Sequence, residues 1–294
     1  MAMKTKKNVL VHVLSVMVLL QIVVFAGSSW AADVKVYTFL CGHLISNTEN
    51  FLANTRVGIQ DRFPVPFYVI KHGSDWVAFD TGNPGLTAKD PDAAIGKDRA
   101  TRYRPTMKPE DEFQVQIKKL GLTPKDFKAV VLSHCHWDHS GGIDVFKDTG
   151  VPIYIQKKEM AFLKKVLAEG KTVRSPLENP NVAEKLNIKT IEGIFDVSGD
   201  QALVAFPMPG HTPGIQVLMV KLKNEGRVLL CSDTLYTMEN LEKNILPGVL
   251  VDPSDILQSF NMMRILRSLN VAIVPSHDPK YYIGKALAPY PMFE

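Results

Sequence analysis

Within the run Ser133-His134-Cys135-His136-Trp137-Asp138-His139-Ser140-Gly141-Gly142, three imidazoles and a carboxylate fall inside six positions, directly after the apolar stretch Lys128–Leu132. That pattern is two-metal chemistry at the end of a buried strand. Alternate side chains of an extended segment share a face, so His134 and His136 can grip one ion together. A turn after Trp137 swings Asp138 and His139 toward a second ion, and the glycines that follow let the backbone bend around the pair. The plain alternative is a histidine-rich surface loop that meets metal by accident; the position immediately past an apolar strand speaks against it.

Four adjacent side chains cannot fill two coordination shells, so more donors are expected at later strand ends. His211 follows the strand-like run Ala202 to Phe206, inside a loop held by Pro209, Gly210, Pro213 and Gly214. Asp233 ends Arg227-Val-Leu-Leu-Cys-Ser-Asp233, and His277 follows Asn270-Val-Ala-Ile-Val-Pro-Ser276. Singly, each would read as an ordinary loop residue. In this order, each just past an apolar strand, they complete a donor set.

HxHxDH, then His, then Asp, then His is the pattern of the metallo-β-lactamase superfamily, which the chain resembles over roughly residues 34 to 294. The resemblance implies an α+β fold, a four-layer αββα sandwich with a dinuclear metal site at one edge of its two sheets. It further implies His134, His136 and His211 as ligands of one metal, Asp138, His139 and His277 as ligands of the other, and Asp233 as the bridging carboxylate. An aspartate suits that post, since its two oxygens can hold ions at the ~3.5–4 Å separation of two-metal hydrolysis.

Within the superfamily the chain is most similar to the N-acyl-homoserine lactonases. Pro64-Val-Pro-Phe-Tyr-Val-Ile-Lys-His-Gly73, Trp76-Val-Ala-Phe-Asp-Thr-Gly82 and Asp233-Thr-Leu-Tyr236 carry that likeness. By the same resemblance the Tyr236 hydroxyl points at the substrate carbonyl; an isolated tyrosine would otherwise read as a ring packed at a loop edge. The implied reaction is hydrolysis of a lactone ester, with N-acyl homoserine lactones as substrates, by attack of a metal-bridging hydroxide. Tyr236 would stabilise the oxyanion, and Asp138 or Asp233 would pass a proton to the departing alkoxide. The nitrogen and carboxylate donors favour two zinc ions, while iron, manganese and cobalt also suit the donor types.

Other members of the superfamily set the rivals. The commonest exported β-lactamases place a cysteine where Asp233 stands and lack a match for His139. Thioesterases and phosphodiesterases share the ligand set but bind their substrates through basic residues that the sequence pattern does not locate here. A non-enzymatic metal-binding protein on the same scaffold would have no use for Tyr236.

Residues 1–32 stand apart. Lys4, Lys6 and Lys7 precede an apolar run from Val9 to Ala26, and Gly27-Ser-Ser-Trp-Ala-Ala32 offers small residues for cleavage. This pattern predicts a signal peptide, export to the periplasm or beyond, and a mature start at Ala32 or Asp33. An uncleaved anchor is the alternative, the run being long enough to span a bilayer. Cleavage removes three of the 34 basic residues and none of the 30 acidic ones, leaving 31 against 30. So balanced a chain excludes nucleic acid as a partner, and no membrane partner is expected after cleavage. Cys41, Cys135 and Cys231 are an odd set; all three are expected as buried small hydrophobes rather than bridges or ligands.

The elements that must position these residues follow from patterning. Strands are expected at Val34–Leu40, Pro66–Lys71, Trp76–Asp80, Ala129–Leu132 and Pro152–Ile155, then near Ala202, Ile215 and Arg227 and at Val271–Val274. Helices are expected at Asp111–Leu120, Lys157–Glu169 and Asp255–Leu269. The polar stretch from Gly82 to Glu112 reads as a lid or wall, and residues 33–294 as one hydrolase domain. Ile45, Phe51, Leu52, Ile59 and Phe63 are candidate walls of an acyl groove or else core, while His43 and His72 read as structural. The oligomeric state has no signature in the sequence.

Overall fold

Alternating β-branched and aromatic residues build Val34–Asn47 (β1), which pairs antiparallel with Gln60–His72 (β2). The computed structural model describes residues 33–294; the expected leader at 1–32 lies outside the described residues. A register shift between Leu40 and His43 holds Gly42 at φ +75°, where an added Cβ would lie 2.5 Å from the Thr106 carbonyl oxygen. Glycine alone lets the short strand Pro105–Thr106 (β4) close on β1 there.

The first sheet continues through Asp75–Phe79 (β3), Ala129–Val131 (β5), Pro152–Gln156 (β6) and Asn187–Ile191 (β7), in the order β4-β1-β2-β3-β5-β6-β7. From β3 onward its strands run parallel. The second sheet holds Phe195–Asp196 (β8), Leu203–Pro207 (β9), Gln216–Lys221 (β10), Arg227–Leu230 (β11) and Val271–Val274 (β12), in the order β12-β11-β10-β9-β8.

Period-two alternation sorts the side chains into layers. Tyr68, Ile70, Phe79 and Val131 of the first sheet meet Leu203, Ala205, Leu218 and Leu230 of the second in a core between the sheets. Their neighbours Val204, Phe206, Val217 and Met219 face outward onto Ile256, Phe260 and Met263 of the helix Pro253–Ser268. On the far face of the first sheet, Phe67, Val69, Val130 and Ile153 pack with Phe113, Ile117 and Leu163. The result is the expected helix, sheet, sheet, helix stack.

The expected helix at Asp111–Leu120 is a helical turn, Phe113–Gln116, that tightens into a 3-10 turn, Ile117–Leu120. The tightening follows Gln116, whose buried amide donates to the Leu40 and Asp111 carbonyls and pins the segment to β1. Strands β4, β7 and β8 had no counterpart in the sequence reading. The Gly82–Glu112 stretch folds into a 3-10 turn and two short helices, Pro91–Ile95 and Lys97–Tyr103.

Each proposed ligand lies past the C-terminal end of a strand: His134 to His139 after β5, His211 after β9, Asp233 after β11 and His277 after β12. The two sheets are tied together beside that edge. The Gln216 backbone N–H donates to the Ser133 carbonyl at 3.0 Å and its side chain to the Leu132 carbonyl at 2.8 Å.

Candidate metal centre

After β5 the chain leaves the sheet extended through His136 and turns into the short helix Trp137–Ser140, so Asp138 and His139 swing away from His134 and His136 as the motif requires. The fold brings all seven expected donors together. His134, His136, His211 and Asp233 form one group whose ligand atoms lie within 4.8 Å of one another; Asp138, His139, His277 and Asp233 form a second with the same spacing.

Asp233 divides its oxygens between them. Its Oδ2 lies 3.4 Å from His211 Nε2 and 3.8 Å from His134 Nε2. Its Oδ1 lies 3.0 Å from both His139 Nε2 and His277 Nε2. Asp138 Oδ2 completes the second group, 3.7 Å from His277 Nε2 and 3.9 Å from His139 Nε2. In the first group His136 brings Nδ1 within 2.8 Å of His211 Nε2.

Partners behind the ligands fix which nitrogen faces inward. His211 Nδ1 donates to the Val249 carbonyl at 3.0 Å and His277 Nδ1 to the Pro64 carbonyl at 2.7 Å. His139 Nδ1 donates to Asp80 Oδ2 at 2.8 Å. Each of these bonds turns Nε2 toward the cluster with its lone pair free. His134 and His139 each leave a buried Nε2 without a hydrogen-bond partner, which is costly unless a further group satisfies it. Buried nitrogen lone pairs set around a shared carboxylate fit divalent cations.

Electrostatics divides the centre in the same way. Burial, with neighbouring imidazoles adding to it, holds His134 and His136 well below the usual histidine range, and burial also lowers His211; all three stay neutral. At His139 and His277 burial works against the charged form, but Asp233 and Asp138 outweigh it and push both upward. Burial likewise opposes ionisation of Asp233, yet His139, His277 and His211 hold its carboxyl well below the usual range. The Asp138, His139, His277 half therefore carries a field that favours positive charge.

Tyr236 stands in the cavity wall, its hydroxyl 3.2 Å from His211 Nδ1 and its ring centroid 5.2 Å from that of Phe51. Burial, then the charge of Asp233, pushes its phenol well above the usual range, so it remains a donor. The cavity over the cluster has a volume of about 310 Å³ and is walled by Leu44, Phe51, Tyr103, Trp137 and Val173, with Arg99 and Arg102 among the polar groups. Of the five residues read as groove wall or core, Phe51 lines the cavity. Leu52 and Phe63 are buried, the latter stacked on Phe51 with centroids 3.6 Å apart; Ile45 is half-buried and Ile59 exposed. The Gly82–Glu112 stretch supplies a wall through Tyr103. All three cysteines are free and buried, and His43 and His72 pair with Arg62 and Asp200 away from the cluster.

Sequence reasoning passed over the support of this centre. Asp80, just past β3 at φ +61°, accepts the Ser133 N–H at 2.8 Å and the Ser133 hydroxyl at 2.8 Å in addition to the His139 bond. Ser276 donates to Asp233 Oδ1 at 2.9 Å. Asp80 shares the ligands' own signal, an acidic residue at the end of an apolar strand.

Residues 61–277 match the pattern of the metallo-beta-lactamase superfamily. The chain is similar to the N-acyl homoserine lactonase AttM of Azorhizobium caulinodans, at 31% identity over 258 residues that cover 87% of this chain and 98% of that protein. It is also similar to the N-acyl homoserine lactonase AiiA of Bacillus thuringiensis subsp. kurstaki, at 30% identity over 83% of this chain and 93% of the relative. Among solved structures, an N-acyl homoserine lactone hydrolase with the product N-hexanoyl-L-homoserine bound at its catalytic metal centre superposes with a TM-score of 0.77. That pair is 26% identical, covering 89% of this chain and 99% of the other. A Bacillus thuringiensis AiiA variant holding N-decanoyl-L-homoserine gives the same TM-score, identity and coverage.

Proposed function

Because the chain belongs to the metallo-beta-lactamase superfamily, within its N-acyl homoserine lactonases, we infer that it is a dinuclear metal-dependent hydrolase that opens the lactone ring of N-acyl homoserine lactones, the reaction of quorum quenching. The observation that supports this most is the meeting of two donor groups at Asp233 on the floor of a cavity walled by Phe51, Tyr103, Trp137 and Val173 together with Arg99 and Arg102.

His134, His136 and His211 would hold one ion, Asp138, His139 and His277 the other, with Asp233 between them. When bound, two such ions supply an activated water near neutral pH and polarise the ester carbonyl. The chain's own residues do the rest. Tyr236 donates a hydrogen bond to the carbonyl oxygen as charge builds there and keeps its proton. Asp138 or Asp233 carries the proton released by the attacking water to the ring oxygen as it leaves. Phe51, Tyr103, Trp137 and Val173 take the acyl chain and exclude water from the reacting ester. Zinc is the proposed metal, on the chemistry of the donors.

We further propose that residues 33–294 act as one exported hydrolase domain, after removal of the leader. N-terminal sequencing of the protein from its native host should read from Ala32 or Asp33; an intact Met1 in a membrane fraction refutes export as a soluble enzyme.

A substrate panel tests the activity. Homoserine lactones of several acyl lengths, aliphatic lactones, a cephalosporin, a thioester and a phosphodiester are assayed on metal-loaded protein, with and without chelator. Chelator-sensitive turnover of the acylated lactones is expected. Turnover confined to the thioester, the phosphodiester or the cephalosporin would sink the assignment.

A further inference from the structure

Glu159 stands in the first turn of the helix Lys157–Ala168 and has no exposure to solvent. A buried carboxylate needs either a cation or several donors. Among the described residues it forms no ion pair; it has donors instead, and they come from two separate loops. The backbone N–H of Cys135 donates to Oε1 at 3.0 Å, and the Thr212 hydroxyl donates to Oε2 at 2.6 Å. The Gly214 N–H donates as well. Cys135 is the residue between His134 and His136, and Thr212 is the residue after His211.

We propose that Glu159 is a positioning residue: by holding the loop of His134 and His136 with one oxygen and the loop of His211 with the other, it sets the spacing of the three imidazoles of the first metal site. The proposal rests on the two-metal reading above and deepens it.

Three features carry the argument. The loops come from different sheets, β5 from the first and β9 from the second, so no shared strand fixes their separation. The contact is close: a Cβ added at Gly214 would lie 2.1 Å from the Glu159 backbone nitrogen, so the His211 loop has no room for a side chain there. The second site has its own direct support in Asp80, which accepts from His139 and reaches the first site only through Ser133, whose hydroxyl lies 3.0 Å from His134 Nδ1. Loss of Glu159 should therefore be felt at one site of the two.

The bonds explain the residue type. Leucine would leave the Cys135 and Gly214 N–H groups buried and unpaired. Glutamine can keep an acceptor on Cys135 and turn its amide N–H toward the Thr212 hydroxyl oxygen, which preserves the bridge without the charge.

The test is metal affinity, read by competition with a chromophoric chelator on full-length mature protein loaded with Zn2+, with ions per chain counted alongside. Wild type should hold two ions. Glu159→Leu should weaken one ion by about 10–100-fold, the size expected when a group behind a ligand is lost, and leave the other unchanged. Glu159→Gln should keep both within a few-fold. Thr212→Val removes only one of the bonds and should give a smaller loss at the same site, so it decides the matter if Glu159→Leu does not fold. Unchanged affinities in Glu159→Leu or Thr212→Val, equal weakening of both ions, or a glutamine variant as impaired as leucine would each overturn the proposal. Lactone turnover by the wild type is scored separately: turnover with an unaffected Glu159→Leu sinks the positioning role alone, whereas a wild type that binds no metal sinks the two-metal reading with it.

Discussion

Asp80 Oδ2 lies 2.8 Å from His139 Nδ1, and that one bond decides which face of the imidazole the centre receives. With Nδ1–H donated to the carboxylate, Nε2 presents its lone pair to the cluster, 3.0 Å from Asp233 Oδ1. Two acceptors so placed are stable only with a cation or a proton between them.

Asp80→Asn tests this. The amide oxygen can still accept the Ser133 N–H, but an amide N–H facing Nδ1 inverts the imidazole and removes the lone pair from Nε2. The variant should hold the ion of the Asp138, His139, His277 site about 10–100-fold more weakly. Two tightly held ions per chain in Asp80→Asn would refute the assignment.

Asp233→Ala removes the only group common to both donor sets. Elemental analysis should find both ions depleted, and lactone turnover should disappear. Full activity in that variant is incompatible with a two-metal site.

Tyr236→Phe should keep both ions and the fold, because the ring packs among Phe51, His211 and His277 and only the hydroxyl is lost. The expected deficit is in kcat for lactones, up to the ~10²–10³-fold that follows loss of one oxyanion donor. Unchanged kcat and KM on every lactone would return Tyr236 to a packing role.

Glu159 gives the protein a pH signature. Burial pushes its carboxyl up to about 7, against the pull of the Thr212, Cys135 and Gly214 donors. Between the unfolded value of about 4.3 and 7, the folded state binds more protons than the unfolded chain, so this group's contribution falls as pH rises and is fully unfavourable above 7. Glu159→Gln lacks that slope. Its unfolding free energy relative to wild type should therefore rise by roughly 2–3 kcal/mol from pH 5 to pH 8. Denaturant titration of the metal-loaded pair measures this, and a difference that stays flat with pH would show that the carboxyl is not held neutral.

The candidate donor groups were legible because metal binding admits few residue types: His134, His136, His211 and Asp233, which the fold brings together, could be picked out from their chemistry and their place after apolar runs. Their support was not. Asp80 and Glu159 are single acidic residues among 30, and nothing in their spacing shows that a distant loop will donate to them. The inter-sheet strands were readable from near-continuous apolar runs such as Val228–Leu230. Strand β7, with the pattern Asn187-Ile-Lys-Thr-Ile191 and only its last residue buried, lies at the sheet edge and lacks that contrast. Cavity wall and core could not be told apart among the candidate wall residues for a related reason. Phe51 and Phe63 look alike in sequence, and only their stacking order decides which ring meets the cavity.

The donors come from both sheets, four from the loop after β5 and three from the loops after β9, β11 and β12. The centre therefore straddles a seam, and its dimensions are those of the gap between two layers. Any shear of one layer over the other displaces the four donors against the three, and a misplacement of ~1 Å can cost on the order of 10²-fold in rate. Phe79, Val131, Leu218 and Leu230, which grip that gap from within, thus act as the calibration of the instrument although none of them meets the substrate. Evolution of catalytic rate in this chain can proceed through its greasiest and least reactive residues.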